Sequence, residues 1–173
     1  MSQTAGIGVV LPICAGVLAV LLLGRHWLIA GKLAIGFGLC LAVTYAFQAY
    51  AVKLGAVTFH PSGHVSMATF TFSAIACLLI GRAAMRPWLN ALIVVVLGAE
   101  FGYARLHMST HSSWDVAAGI CIAAISLLLV ARPSGWRLLN RADRVMVAAA
   151  ACVMFSVAVT HGYLLDRLLR TLF

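Results

Sequence analysis

The chain has 173 residues, of which 64% are hydrophobic and only 9% charged. Soluble domains carry roughly 25% charged residues, and no polar stretch here is long enough to form one, so a single integral membrane domain over residues 1–173 is expected. The formal net charge of +8 lies in short loops between apolar blocks, which is the positive-inside pattern and not a nucleic-acid surface, so no nucleic-acid partner is expected.

Six apolar blocks follow in chain order: Gly6–Leu23, Leu33–Val52, Val65–Ile80, Pro87–Ala104, Val116–Val130 and Val145–Leu165. Most approach the ~20 residues needed to cross a bilayer, and only a helix satisfies its own backbone there. The expected fold is therefore all-α, a polytopic bundle of six transmembrane helices. The first block opens "MSQTAG" without a basic flank or a small-residue cleavage site, so it is expected to be a retained helix, not a signal peptide. Gly31, Gly36 and Gly38 are expected to give the second helix close packing. Cys14, Cys40, Cys77, Cys121 and Cys152 lie singly in apolar blocks and read as packing residues.

Six crossings place alternate loops on opposite sides. Arg25, Lys32, Arg82, Arg86, Arg132, Arg137, Arg141 and Arg144 fall on one side, against Lys53, Arg105, Arg167 and Arg170 on the other. The first group is expected in the cytoplasm, with both termini outside. Trp27, Trp88, Trp114 and Trp136 sit near block ends, as an interfacial aromatic belt does. The small size and scarcity of loops suggest a bacterial inner-membrane protein.

Two polar stretches share the outer side: Lys53 to His64, ending "HPSGH", and "RLHMSTHSSWD" at 105–115. Ionisable groups at membrane depth are costly and usually functional. His111 and Asp115, four apart, are expected on one face at the start of the fifth helix. The carboxylate would hold one ring nitrogen and leave the other as a nucleophile. Ser62-Gly63 opens the third helix, whose unpaired N–H groups and dipole favour phosphate. Arg105 and Lys53 would add charge, and His64 would donate a proton to a leaving group. Together these groups describe phosphoryl transfer with no metal and no cofactor.

Pro61-Ser62-Gly63-His64 followed by Arg105-x5-His111-x3-Asp115 resembles two motifs of the type 2 phosphatidic acid phosphatase superfamily, the lipid phosphate phosphatases, whose site the vanadium haloperoxidases share. The resemblance covers about Lys53 to Gly119. Ala104 stands where the last motif usually has serine. The first motif, usually K-x6-R-P, is compressed: Lys53 is followed after six residues by His60-Pro61, so His60 stands in the arginine's place. The resemblance implies that His111 attacks phosphorus and Asp115 orients it. It implies that His64 protonates the leaving alkoxide and that Ser62, Gly63 and Arg105 hold phosphate oxygens. Lys53 and His60 are carried with them, His60 as either a phosphate contact or a loop residue. The implied substrate is a lipid phosphate or diphosphate: polyprenyl diphosphate, phosphatidylglycerophosphate or phosphatidic acid. The implied partners are that substrate and membrane lipids, with the site facing the periplasm or exterior.

Other polar residues carry bland readings. His107, His26 and His161 are expected at the interface. Glu100 is expected to pair with Arg105 or Lys53, tune the acid, or make a buried polar contact. A phosphotransferase passing the phosphoryl group to a second lipid uses the same residues. A metalloenzyme built on "HPSGH" and "HMSTH" is a weaker alternative, because Pro61 and Gly63 break the helix that would align His60 with His64.

Overall fold

The structure, a computed structural model, describes residues 3–53, 60–81, 86–107, 111–130 and 139–172. Its described residues form six α-helices and no strand. They are α1 Gln3–Leu23, α2 Trp27–Lys53, α3 Gly63–Ile80, α4 Pro87–His107, α5 Ser113–Val130 and α6 Arg141–Leu172. Four spans are long and apolar enough to cross a membrane: Trp27–Ala51, Gly63–Ile80, Trp88–His107 and Ser113–Val130. In α1 the described apolar run is shorter, Gly8–Leu23. Arg82, Arg132, Arg137 and Trp136 lie outside the described residues, as does the side chain of His161.

Every helix extends beyond its expected apolar block. Hydropathy ends where polar first turns begin, whereas helices end at caps. Ser62 caps α3. Ser112 and Asp115 cap α5 reciprocally. The Asn140 side chain accepts the Asp143 N–H at 2.8 Å at the start of α6.

The α1–α2 connection is much tighter than the gap between blocks suggests. His26 N–H bonds the Leu21 carbonyl at 2.8 Å, and Arg25 N–H bonds that of Leu22 at 3.0 Å. This paired bonding is a Schellman ending, with Arg25 at the left-handed position, φ 59°. The turn carries His26 to Asp143 of α6, where Nε2 lies 2.9 Å from Oδ2. His26, expected as a plain interfacial residue, thus ties the α1–α2 turn to α6, against which α1 packs extensively.

The central helix is α3, which touches all five others. Its Met67, Phe70, Ala74 and Ile75 join Ile13, Val17 and Leu21 of α1 and Ala123 and Leu127 of α5 in one core. Of the three glycines expected to allow close packing in α2, only Gly36 does so. A Cβ there would lie 2.4 Å from Phe70 Cζ, whereas Gly31 and Gly38 have nothing within 4 Å. The C-terminal end of α2 and the N-terminal ends of α3 and α5 meet at one end of the bundle. The His26–Asp143 pair marks the other end.

Candidate active site

The site grows from two capped helix starts held against each other. Ser62 ends an extended segment (φ −71°, ψ 106°), and its Oγ accepts the Val65 N–H at 3.4 Å. The Ser62 N–H donates to the main-chain carbonyl of Asp115 at 3.0 Å. Two residues earlier, the His60 N–H donates to Asp115 Oδ1 at 2.7 Å. The "HPSGH" segment is therefore strapped to the first turn of α5 twice. From α2, Gln48 Nε2 donates to the Pro61 carbonyl at 3.0 Å.

Close approach makes this strapping possible. Gly119, one turn into α5 from Asp115, is buried against the entry to α3. A Cβ there would meet the Ser62 carbonyl oxygen at 2.9 Å and Ser66 N at 3.3 Å. Only glycine fits without moving backbone.

At the start of α5, Asp115 is also the N3 residue of a capping box. Its Oδ2 accepts both the Ser112 N–H and the Ser112 hydroxyl at 2.9 Å. The Asp115 N–H faces Ser112 Oγ at 3.3 Å in return. His111 precedes this cap, so it does not ride on the helix face that its spacing suggested. Its Nδ1 lies 3.8 Å from Asp115 Oδ2, a close ion-pair distance but longer than a hydrogen bond. Nδ1 is thus the ring nitrogen nearer the carboxylate.

Burial holds the His111 pKa below the usual imidazole value. The Asp115 charge opposes that effect, the Arg105 and His60 charges reinforce it, and a hydrogen bond with the His60 backbone opposes it. A neutral ring at neutral pH is the form a nucleophile needs.

His64 and Gly63, half-buried in the first turn of α3, line a small cleft of ≈ 20 Å³ with His111, Gln48, Tyr45 and Thr44. A Cβ on Gly63 would make only ordinary contacts, at 3.5 Å from Met67 and Thr44, so protein packing alone does not demand glycine there. Arg105 is half-buried in the last turn of α4, near enough for its charge to act on His111. Among the described residues, no three His, Cys, Asp or Glu side chains gather as a metal-ligand set.

Not every expected residue joins this cluster. Lys53 is exposed at the end of α2 and makes no hydrogen bond or ion pair among the described residues. His60 contributes its backbone through the bond to Asp115, and its ring charge reaches His111. Glu100 is exposed on α4 and, among the described residues, pairs with neither Arg105 nor Lys53. His107 is exposed and stacks on Tyr103, ring centroids 5.7 Å apart. Trp27, Trp88 and Trp114 are 65%, 60% and 75% exposed, as belt residues are.

Sequence reasoning missed Gln48, Ser112 and Gly119. A capping-box signature, S-x-x-D, is legible at Ser112–Asp115. Nothing in the sequence singles out Gln48 or Gly119, because their roles come from neighbours distant in the chain.

A family model described as the PAP2 superfamily matches residues 50–139, just over half of the chain. That span runs from the end of α2 through α5 and contains both polar stretches. No match was found to a curated protein or to a solved structure.

Proposed function

The chain belongs to the PAP2 superfamily, the type 2 phosphatidic acid phosphatases, and we propose that it is a membrane-embedded lipid phosphate phosphatase working through a phosphohistidine on His111. Membership brings phosphatase-type phosphoryl transfer on lipid-like substrates. One observation carries the finer reading. Asp115 receives the His60 N–H on Oδ1 and the Ser62 N–H on its carbonyl, while its Oδ2 faces His111. A single residue thereby fixes the nucleophile's surroundings and the phosphate cradle together.

In this mechanism the phosphate head enters at the α3 N-terminus, where backbone N–H groups and the helix dipole favour an anion. Arg105 supplies a guanidinium, and Lys53 and His60 flank the entry. His111 Nε2 attacks the terminal phosphorus and forms an N–P bond as the P–O bond to the leaving group breaks. His64 gives its proton to that leaving group, the lipid alkoxide of a monoester or the lipid phosphate of a diphosphate. It then takes one from water as that water attacks the phosphohistidine, releasing phosphate and restoring His111. Asp115 stabilises the cationic ring during both steps. No metal or cofactor is required.

The substrate is a lipid phosphate or diphosphate of the polyprenyl diphosphate, phosphatidylglycerophosphate or phosphatidic acid type. We place the protein in a bacterial inner membrane with the site facing the periplasm. In support, Arg25, Lys32, Arg86, Arg141 and Arg144 lie near the bundle end opposite the site. The test is phosphate release from a panel of these lipids by purified protein, with and without chelator. Release that survives the chelator supports the reading. Activity that needs a metal, or transfer to a second lipid without phosphate release, overturns it.

A further inference from the structure

Gln48 lies in the last turns of α2, four residues after Thr44 and so on the same helix face. That face meets the start of α3. Thr44 Oγ1 lies 2.9 Å from Ser66 Oγ, which donates to the Gly63 carbonyl at 3.1 Å. Gln48 Nε2 donates to the Pro61 carbonyl at 3.0 Å. The same peptide unit is held from its other end by α5, because the Ser62 N–H donates to the Asp115 carbonyl at 3.0 Å. A trans peptide points its C=O and N–H in opposite directions. The Pro61–Ser62 unit is therefore clamped between α2 and α5.

The clamp uses one of the two N–H groups of the Gln48 carboxamide. It also fixes where the nitrogen stands. Nε2 is 3.9 Å from the point that a Cβ on Gly63 would occupy. Gln48 shares the wall of the small cleft with Gly63, His64 and His111. Among the described residues, the bond to Pro61 is the hydrogen bond this side chain makes. A carboxamide held at membrane depth with a donor to spare is costly unless something takes that donor up. Glycine at position 63 also finds a use, since protein packing does not demand it: a side chain there would fill space beside Nε2.

We infer that Gln48 is a phosphate-contacting residue, whose second N–H donates to a non-bridging oxygen of the phosphate group at His111. This rests on the phosphatase reading above: a group attacked by His111 and served by His64 lies in the cleft that both line, against Gln48. The donor is uncharged and held in place by Pro61, so it needs no reorganisation as charge shifts among the phosphoryl oxygens.

The test uses full-length protein. Glutamine occurs only at Gln3 and Gln48, so isotope labelling of glutamine side-chain nitrogen resolves both by NMR, and Gln48→Leu assigns them. On addition of inorganic phosphate to the wild type, the Gln48 N–H not held by Pro61 shifts downfield while the Gln3 signals stay in place. Gln48 signals that do not move at any phosphate concentration overturn the contact. A second readout is kinetic. Gln48→Leu raises the KM for lipid phosphate and the inhibition constant of inorganic phosphate together, and kcat/KM falls about 10–100-fold, the loss of one hydrogen bond to a charged group. Gln48→Glu sets a carboxylate against the phosphate and loses about ten-fold more. Equal losses in the two variants with an unchanged inhibition constant mean that Gln48 acts only through Pro61, and overturn the proposal. Wild-type protein that shows the phosphate-dependent shift but turns over no phosphate ester removes the phosphatase reading alone.

Discussion

The Asp115 carboxylate accepts the His60 N–H at 2.7 Å, across a gap of more than fifty residues in sequence. This bond joins the two polar stretches. Asp115→Ala removes it along with the α5 cap and leaves a donor without its partner. The expected loss is about 2–4 kcal/mol of stability, read as a lowered Tm in detergent. Asp115→Asn keeps an acceptor for His60 and removes the charge facing His111. Its Tm should stay closer to wild type while kcat falls by about 10²–10⁴-fold, as loss of an orienting acid does elsewhere. Equal effects of the two variants on Tm and kcat would mean that Asp115 is purely structural.

Gly119→Ala places a methyl 2.9 Å from the Ser62 carbonyl oxygen. Backbone on both sides resists, so overpacking should cost about 1–3 kcal/mol. The displacement falls on the cradle, so KM should rise along with the stability loss. As a comparison, Gly31→Ala meets open space and should leave kinetics unchanged and helix stability slightly improved. Similar kinetics for the two variants would contradict the close-approach argument.

Burial lowers the His111 pKa, and protonation would disable the proposed nucleophile. The acid limb of kcat/KM should therefore fall below the ordinary imidazole value of about 6.5. The neighbouring charges give the signs of further shifts. Removing the Asp115 charge takes away an effect that raises the pKa, so Asp115→Asn moves the limb lower still. Removing Arg105 takes away one that lowers it, so Arg105→Gln moves the limb up. A pH series on the wild type and both variants checks the order, and the reverse order would exclude His111 as the titrating group.

Arg25 occupies a left-handed conformation, φ 59°, at the position of a Schellman ending where glycine is usual. Arg25→Gly should raise stability by about 1 kcal/mol by removing that strain. The measurement is the Tm in detergent. A lowered Tm would mean that the arginine side chain stabilises the α1–α2 turn by more than the backbone strain costs.

Much of this was legible in the sequence for a simple reason. A bilayer forces apolar runs into helices, so six blocks announce six helices. The motifs that put forward Ser62, Gly63, His64, Arg105, His111 and Asp115 as site residues are short and local, so they can be read along the chain. Less legible was what happens where two motifs meet. The His111–Asp115 spacing suggested a helix face, but the S-x-x-D cap starts α5 after His111 and gives part of Asp115 to Ser112. Helix ends were misplaced for the same reason: hydropathy stops at Leu33 in the reading of α2, while the Schellman turn starts that helix at Trp27. Gln48 and Gly119 act through contacts with Pro61 and Ser62, which no one-dimensional pattern records.

The central claim is that His111 carries the phosphoryl group. Its most direct test is rapid quenching of full-length protein during turnover of a lipid phosphate labelled on phosphorus, followed by peptide mapping. The account predicts an acid-labile, base-stable label on His111 that is absent from a folded His111→Ala variant, which also releases no phosphate. Steady phosphate release by His111→Ala, or a label on any other residue, would contradict it.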